Sequence, residues 1–360
     1  MTMQDANTDG QGSLGFSTEY RRIAVEEAWA PPRLLEVYRS ELEAGSIDDP
    51  GAQKLWGYYL GTSERARRLV DRIVDAGPDR IQAMDEAGLD VQILSLTAPG
   101  VQALRKEIAA PMAEEANNLL KQSVDEFPDR FRGLTAVAPQ DPKRAAAEVV
   151  RGHDELGFNG VIINSHTHGE YLDDQKFWPI LEAAEGLDTP IYLHPRPPEP
   201  RMLEPYAEVG LEGAIFGFAA DTGLHLLRMI TGGVFDQFPD LKVVVGHLGE
   251  ALPFWMWRID FMHDIAVGSN RHPALRPLAH PPSHYLKTNV WYTTSGMPWA
   301  PAVTFVREVV GKDRLMFAWD YPYQWSPQEV ASMDALPWTT EDKADFFQRT
   351  AEQVFHLNGH

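Results

Sequence analysis

Apolar positions along this chain gather in short unbroken runs, and the stretches between them carry helical spacing. Eight runs stand out, at 23–27, 91–96, 133–138, 160–164, 191–194, 242–246, 290–294 and 315–318. Most are continuous rather than alternating, the pattern of parallel strands buried on both faces. Helical patterns fill the gaps, among them 111–127, 142–156, 174–186 and 301–310. Strands alternating with helices make β/α units, and eight such units close into an α/β fold of the (β/α)8 TIM-barrel type. A doubly wound open sheet is the competing arrangement, but no Gly-rich phosphate loop follows the first run.

Two connections are long. Residues 31–80 form a helical insertion between the first and second strands, with Leu55-Trp56-Gly57-Tyr58-Tyr59 and a charged helix over 63–76. Residues 195–240 follow the fifth strand. Both are expected above or beside the barrel mouth. Residues 1–18 are polar and rich in Gly, Ser and Thr, and read as a flexible arm, or one that packs on a neighbouring subunit. Residues 19–360 read as one barrel domain, with no dividing linker and no repeat of 20–50 residues.

Composition narrows the chemistry. Hydrophobic residues make up 44% and charged residues 23%, which allows a large core. There is no cysteine, so disulfides, thiolate catalysis and Cys-ligated metals are excluded. A metal would need His, Asp or Glu, a donor set suited to Mn, Mg or Zn. The formal net charge of −20 argues against nucleic acid and acidic membranes as partners. An anionic substrate would need local arginines to reverse that field. No apolar run approaches the ~18 residues of a spanning helix, and no basic, apolar leader opens the chain, so a cytoplasmic location is expected.

In a barrel, chemistry collects at the C-terminal ends of the strands. Five runs end in polar clusters: Glu26-Glu27, Asn164-Ser165-His166-Thr167-His168, His194-Pro195, Gly246-His247-Leu248-Gly249-Glu250 and Asp320-Tyr321-Pro322. Glu26, His194 and Asp320 are the expected ligands of one divalent ion, three ligands leaving room for substrate or water. Each alone reads more readily as a polar residue satisfied by backbone hydrogen bonds; their convergence favours the metal. His247 is placed beside the metal as proton shuttle or orienter of a substrate oxygen, with a bond to Glu250 as the structural alternative. Of the His166/His168 pair, His166 is expected near substrate and His168 at the surface. Arg65, Arg258 and Tyr323 could reach the pocket, but spacing alone leaves the arginines as solvated helix charges. The run Trp255-Met256-Trp257 reads as core packing, and His263, His272, His280, His284 and His360 form no constellation.

The phrase Ile23-Ala24-Val25-Glu26-Glu27-Ala28-Trp29-Ala30 resembles the first-strand signature of the non-oxidative aromatic acid decarboxylases of the amidohydrolase superfamily. Leu193-His194-Pro195, Gly246-His247-Leu248-Gly249-Glu250 and Ala318-Trp319-Asp320-Tyr321-Pro322-Tyr323 are similar as well, and the likeness runs from about residue 12 to about residue 357. It implies a barrel, a homo-oligomer (homodimer or homotetramer), and one divalent ion, manganese first with zinc or magnesium compatible. It implies Glu26, His194 and Asp320 as metal ligands, His247 as a catalytic histidine, and Arg65, Arg258 and Tyr323 as site residues. Trp29 stands where relatives often carry Phe, and with Arg196-Pro197-Pro198 is expected near the pocket.

Ala28 departs from the wider superfamily, many members of which carry a ligating His there, and no carboxylated lysine is found. A binuclear hydrolytic centre is therefore not expected, and the carboxyvanillate and 2,3-dihydroxybenzoate type is favoured over the γ-resorcylate type. The expected reaction is decarboxylation of an ortho-hydroxy aromatic acid, 5-carboxyvanillate- or dihydroxybenzoate-like, by ring protonation. Asp320 would donate the proton and His247 orient or deprotonate the phenol. The alternatives are a metal-dependent hydrolase of an amide, lactone or ester, and a non-catalytic scaffold.

Overall fold

The computed structural model describes residues 18–357. The arm expected over 1–18 lies outside the described residues, apart from Thr18. Among the described residues nine short strands follow one another: β1 (Ile23–Trp29), β2 (Val91–Leu96), β3 (Phe131–Gly133), β4 (Thr135–Ala136), β5 (Val161–Asn164), β6 (Ile191–His194), β7 (Val243–Val245), β8 (Val290–Thr293) and β9 (Leu315–Met316). They pair in parallel as two ladders, β1 to β3 and β4 to β9. Leu134 N–H donates to Leu94 O at 2.9 Å, and Val25 N–H donates to Phe317 O at 3.2 Å. Those two bonds join the ladders at both ends, so the ring is a closed (β/α)8 barrel.

The run expected as a single strand over 133–138 is divided between β3 and β4. Asn117 supplies the cause: its side chain accepts from Ala136 N–H and donates to Ala136 O, both at 2.8 Å, as a neighbouring strand would. At Gly133 a Cβ would lie 2.7 Å from the Phe158 ring, so strand and helix connection meet too closely for a side chain. All seven residues of β1 are buried, as a strand between lumen and helices requires. Its pairing with β2 shifts between Ala24 and Glu27, where three steps oppose two. A bulge of this kind re-aims side chains, here Glu26.

The insertion folds as α1 (Pro32–Glu43), α2 (Pro50–Tyr59) and α3 (Glu64–Val74), before α4 (Pro78–Ala87) completes the first unit. Asp49 caps α2 by accepting from Ala52 N–H at 2.8 Å, and Ser63 caps α3 by accepting from Ala66 N–H at 3.1 Å. Asp49 also pairs with Arg196 in the loop after β6, and both side chains are buried. Arg196 Nη1 donates to His166 O at 3.0 Å as well. The insertion is thus tied by a buried ion pair to the loop beside His194.

Among the remaining helices, α5 (Lys106–Glu126) starts earlier than expected, with Pro111 inside it. Pro suits a first helical position, which drew the expected start to it, but here one lost N–H is tolerated inside a long helix. Then come α6 (Pro142–Asp154), α7 (Trp178–Gly186), α8 (Gly217–Thr231), α9 (Leu252–Gly268) and α10 (Ala300–Val310). On α9 the expectation of a packed Trp255-Met256-Trp257 run is corrected. Met256 is buried, but Trp255 is 46% and Trp257 76% exposed. A helix shows one stripe to the barrel, so three consecutive residues cannot all face inward. No described helix is long and apolar enough to cross a membrane.

Candidate active site

The C-terminal strand ends surround a cavity of about 620 Å³. His194, His247 and Asp320 line its floor; Tyr58 and Tyr59 of α2 and Arg65, Arg68 and Arg72 of α3 line its upper wall with Phe218, Tyr323 and Trp325. Glu26 stands behind the two histidines. Its Oε2 accepts from the Tyr192 hydroxyl and from Thr293 Oγ1 at 3.1 Å. Its Oε1 is buried with no hydrogen bond and lies 3.3 Å from His194 Nε2 and 3.9 Å from His247 Nε2. His247 Nδ1 is 3.0 Å from Glu250 Oε1, close enough for an ion pair but out of line for a hydrogen bond.

Backbone geometry holds this arrangement. Residues 247–251 all have positive φ, from 53° at Glu250 to 79° at Gly249, a full left-handed turn following β7. Gly249 is obligatory there, since a Cβ would overlap the Tyr292 ring. At Gly246 a Cβ would overlap Glu26 Oε2. Asp320 also has a positive φ of 62°, a conformation Asp tolerates better than most residues.

The electrostatics follow from burial among opposite charges. Burial opposes ionisation of Glu26, but His247 and His194 outweigh it and hold the carboxyl down at about 2. Burial likewise opposes a charged His247, yet Glu250, Glu26 and Asp320 lift it to about 10. Burial pushes the Asp320 carboxyl well above the usual carboxylate range; His247 opposes this, while Glu26 and Glu329 add to it. Among the described residues no three His, Cys, Asp or Glu side chains stand close enough to enclose an ion unaided. The donors nevertheless suit one: a bare, buried carboxylate oxygen, an imidazole and a second carboxylate, all N and O.

Of the residues expected from sequence, Glu26, His194, His247, Asp320, Arg65 and Tyr323 meet at this cavity. Four do not line it. Trp29 is buried in the core, because alternation from Glu26 sends Ala28, not Trp29, to the same side. His166 is buried with both nitrogens engaged, Nε2 3.1 Å from Pro197 O and Nδ1 accepting from Gly169 N–H at 3.2 Å. Burial, then Arg196, hold its imidazole well below the ordinary value, so it is neutral and braces a loop. Arg258 faces outward on α9 and borders a separate groove with Leu227, Trp255 and Met262. Arg196, expected near the pocket, turns away into its ion pair with Asp49. His168 is exposed, as expected.

Sequence reading missed Arg68 and Arg72, which share a face of α3 with Arg65; the i, i+3, i+7 spacing was the available signal. The Arg72 guanidinium lies 4.9 Å over the Trp325 ring. Tyr192 and Thr293, which hold Glu26, sit inside apolar runs and gave no signal.

A family model described as amidohydrolase matches residues 69–357. Gamma-resorcylate decarboxylase from Polaromonas sp. is 34% identical over 298 residues, 81% of this chain and 90% of that protein. A crystal structure of 5-carboxyvanillate decarboxylase from Novosphingobium aromaticivorans, with bound manganese and 3-methoxy-4-hydroxy-5-nitrobenzoic acid, superposes with a TM-score of 0.92 at 45% identity, covering 97% of this chain and 100% of that one. The 5-carboxyvanillate decarboxylase of Sphingomonas paucimobilis gives a TM-score of 0.89 at 37% identity over 94% of this chain and 99% of that one.

Proposed function

The chain belongs to the amidohydrolase family, and within it we propose a metal-dependent, non-oxidative decarboxylase that releases CO2 from an ortho-hydroxy aromatic acid. The observation that carries this reading is the placement of Asp320: its half-buried carboxyl lines the same cavity as His194 and His247, with Glu26 behind the two histidines. Non-oxidative loss of CO2 requires a proton at the ring carbon that bears the carboxylate. Asp320 donates it, the carbon–carboxylate bond then breaks, its electron pair restores the aromatic ring, and CO2 leaves.

Glu26, His194 and Asp320 would hold one divalent ion, manganese as in the relative's structure, with zinc or magnesium compatible with the same donors. When bound, the ion supplies positive charge for the substrate carboxylate and phenolic oxygen. His247 faces that oxygen and exchanges its proton, while Tyr192 and Thr293 keep Glu26 oriented. Tyr323, its hydroxyl paired with Thr97, closes the wall against which the ring lies.

Arg65, Arg68 and Arg72 give the cavity a cationic wall in a protein of formal charge −20. That wall favours an aromatic ring with a second acid group, of the 5-carboxyvanillate kind, over a monocarboxylic dihydroxybenzoate. The test is CO2 release and ultraviolet absorbance over a panel of 5-carboxyvanillate, 2,3- and 2,6-dihydroxybenzoate, an aryl ester and a lactone, before and after metal removal. Manganese-dependent turnover of the dicarboxylic acid is expected. Hydrolysis of the ester or lactone without CO2 release would install the hydrolase reading instead.

Phe254, Trp257 and Phe261 expose 71, 76 and 50% of their surface on α9. An apolar face of this kind calls for a partner, and our reading is a second copy of the chain. Arg258, on that helix, meets substrate only if such an interface carries it to a cavity. Light scattering of the purified protein checks the assembly, and cell fractionation checks the expected cytoplasmic location.

A further inference from the structure

Glu27 is fully buried and does not line the cavity, yet it grips the peptide on both sides of Asp320. Trp319 N–H donates to Glu27 Oε1 at 2.9 Å, and Tyr321 N–H donates to Oε2 at 3.2 Å. Gln92 Nε2 donates to Oε2 at 3.2 Å as well. One residue further along β1 the same segment is bound again, since Ala28 N–H donates to Tyr321 O at 2.8 Å. Between these anchors Asp320 holds its left-handed φ of 62°, a conformation that a residue with a side chain keeps only where its surroundings impose it.

The grip is itself supported. Arg80, fully buried, donates through Nη1 to Gln92 Oε1 at 3.4 Å, and through Nη2 to Ala28 O at 2.8 Å and Arg72 O at 3.1 Å. Its guanidinium also lies 4.8 Å from the centroid of the Tyr321 ring. Neighbouring acids on β1 therefore divide the work: Glu26 turns into the site, and Glu27 turns outward to hold the chain segment that crosses it.

We propose that Glu27 is the positioning residue for the proton donor. Its two oxygens fix the Trp319 and Tyr321 amides and so aim the Asp320 carboxyl at the ring carbon. Gln92 and Arg80 couple that aim to the end of α3, whose arginines hold the distal acid. A displacement of about 1 Å at such a group lowers turnover by roughly 10²-fold, without removing any atom that touches substrate or metal.

This inference rests on Asp320 as proton donor, so the experiment runs Asp320→Asn beside Glu27→Gln. In Glu27→Gln an amide NH2 replaces one acceptor and faces a peptide N–H. The expected result is a fall in kcat of about 10²-fold, with KM, manganese content and the Kd of 4-hydroxy-3-methoxy-5-nitrobenzoic acid all within threefold of wild type. Unchanged kcat, or parallel loss of metal and ligand binding, overturns it. If Asp320→Asn turns over normally, the donor assignment fails instead, which is a separate outcome. Should Glu27→Gln not fold, Gln92→Met carries the test: a several-fold loss in kcat at constant KM and metal content supports the inference, and wild-type kcat overturns it.

Discussion

Replacing Asp49 by Ala removes the carboxylate that joins the insertion to the loop after β6. Arg196 is left with its charge buried, its side chain 0% exposed in the intact protein. Breaking a buried pair from one side costs about 3–5 kcal/mol, mostly for the stranded charge. The same substitution deletes the N-cap of α2, about 1 kcal/mol more. Unfolding entropy of ~2.1 cal/mol/K per residue gives a chain of this length about 0.76 kcal/mol/K, so a loss near 5 kcal/mol lowers Tm by about 7 °C. Calorimetry reads that shift. Steady-state kinetics should show KM rising as well, because α2 and α3 carry Tyr58, Tyr59 and the arginine wall. Asp49→Asn keeps the cap acceptor and should lose about half as much, while Asp49→Leu with Arg196→Met should recover most of the loss. A Tm for Asp49→Ala within 1 °C of wild type would refute the argument, as would a double variant worse than the sum of its parts.

Three further outcomes follow from the site. Tyr192→Phe removes one of two hydroxyls that hold Glu26 Oε2, and manganese affinity should fall about 10–100-fold with little change in Tm; titration of metal-stripped protein measures it, and unchanged affinity excludes the role. Gly246→Ala should abolish turnover, since its Cβ overlaps Glu26 Oε2, while circular dichroism still reports a folded barrel; an active variant would mean the loop yields freely. Burial raises the Glu329 carboxyl to about 8. Its folded form keeps a proton that the unfolded chain releases, so its contribution is present below the unfolded value and is lost as pH rises from about 4.5 to 8. Glu329→Gln should therefore flatten the fall of Tm across that window, and an unchanged slope would contradict it.

Much of the barrel was legible because its order is carried by local runs of apolar residues. Glu26, His194, His247 and Asp320 were legible because a barrel gathers one end of every strand, wherever those ends lie in sequence. What escaped depends on facing and on distant partners. Trp29 was misplaced by one step of strand parity. Trp255 and Trp257 carry core-like side chains on a face that the barrel does not cover. His166 ends an apolar run as His194 does, but Pro197 O and Gly169 N–H consume its nitrogens. Glu27 drew no role because the amides it binds lie almost 300 residues away, and the division between β3 and β4 depends on Asn117 in another unit.

The left-handed turn at 247–251 bears on the order in which the molecule assembles. A free L-peptide rarely visits that conformation, which costs about 1–2 kcal/mol per residue with a side chain. It persists where Gly249 is pressed on Tyr292 of β8 and Leu248, Glu250 and Leu252 are buried. The turn cannot seed folding, since it needs β7, β8 and α9 already in place. His247 is therefore aimed late, after the framework has closed. A nascent or partly unfolded chain holds every side chain proposed as a ligand but not their common direction, and so offers a metal ion no finished place to bind before the barrel exists.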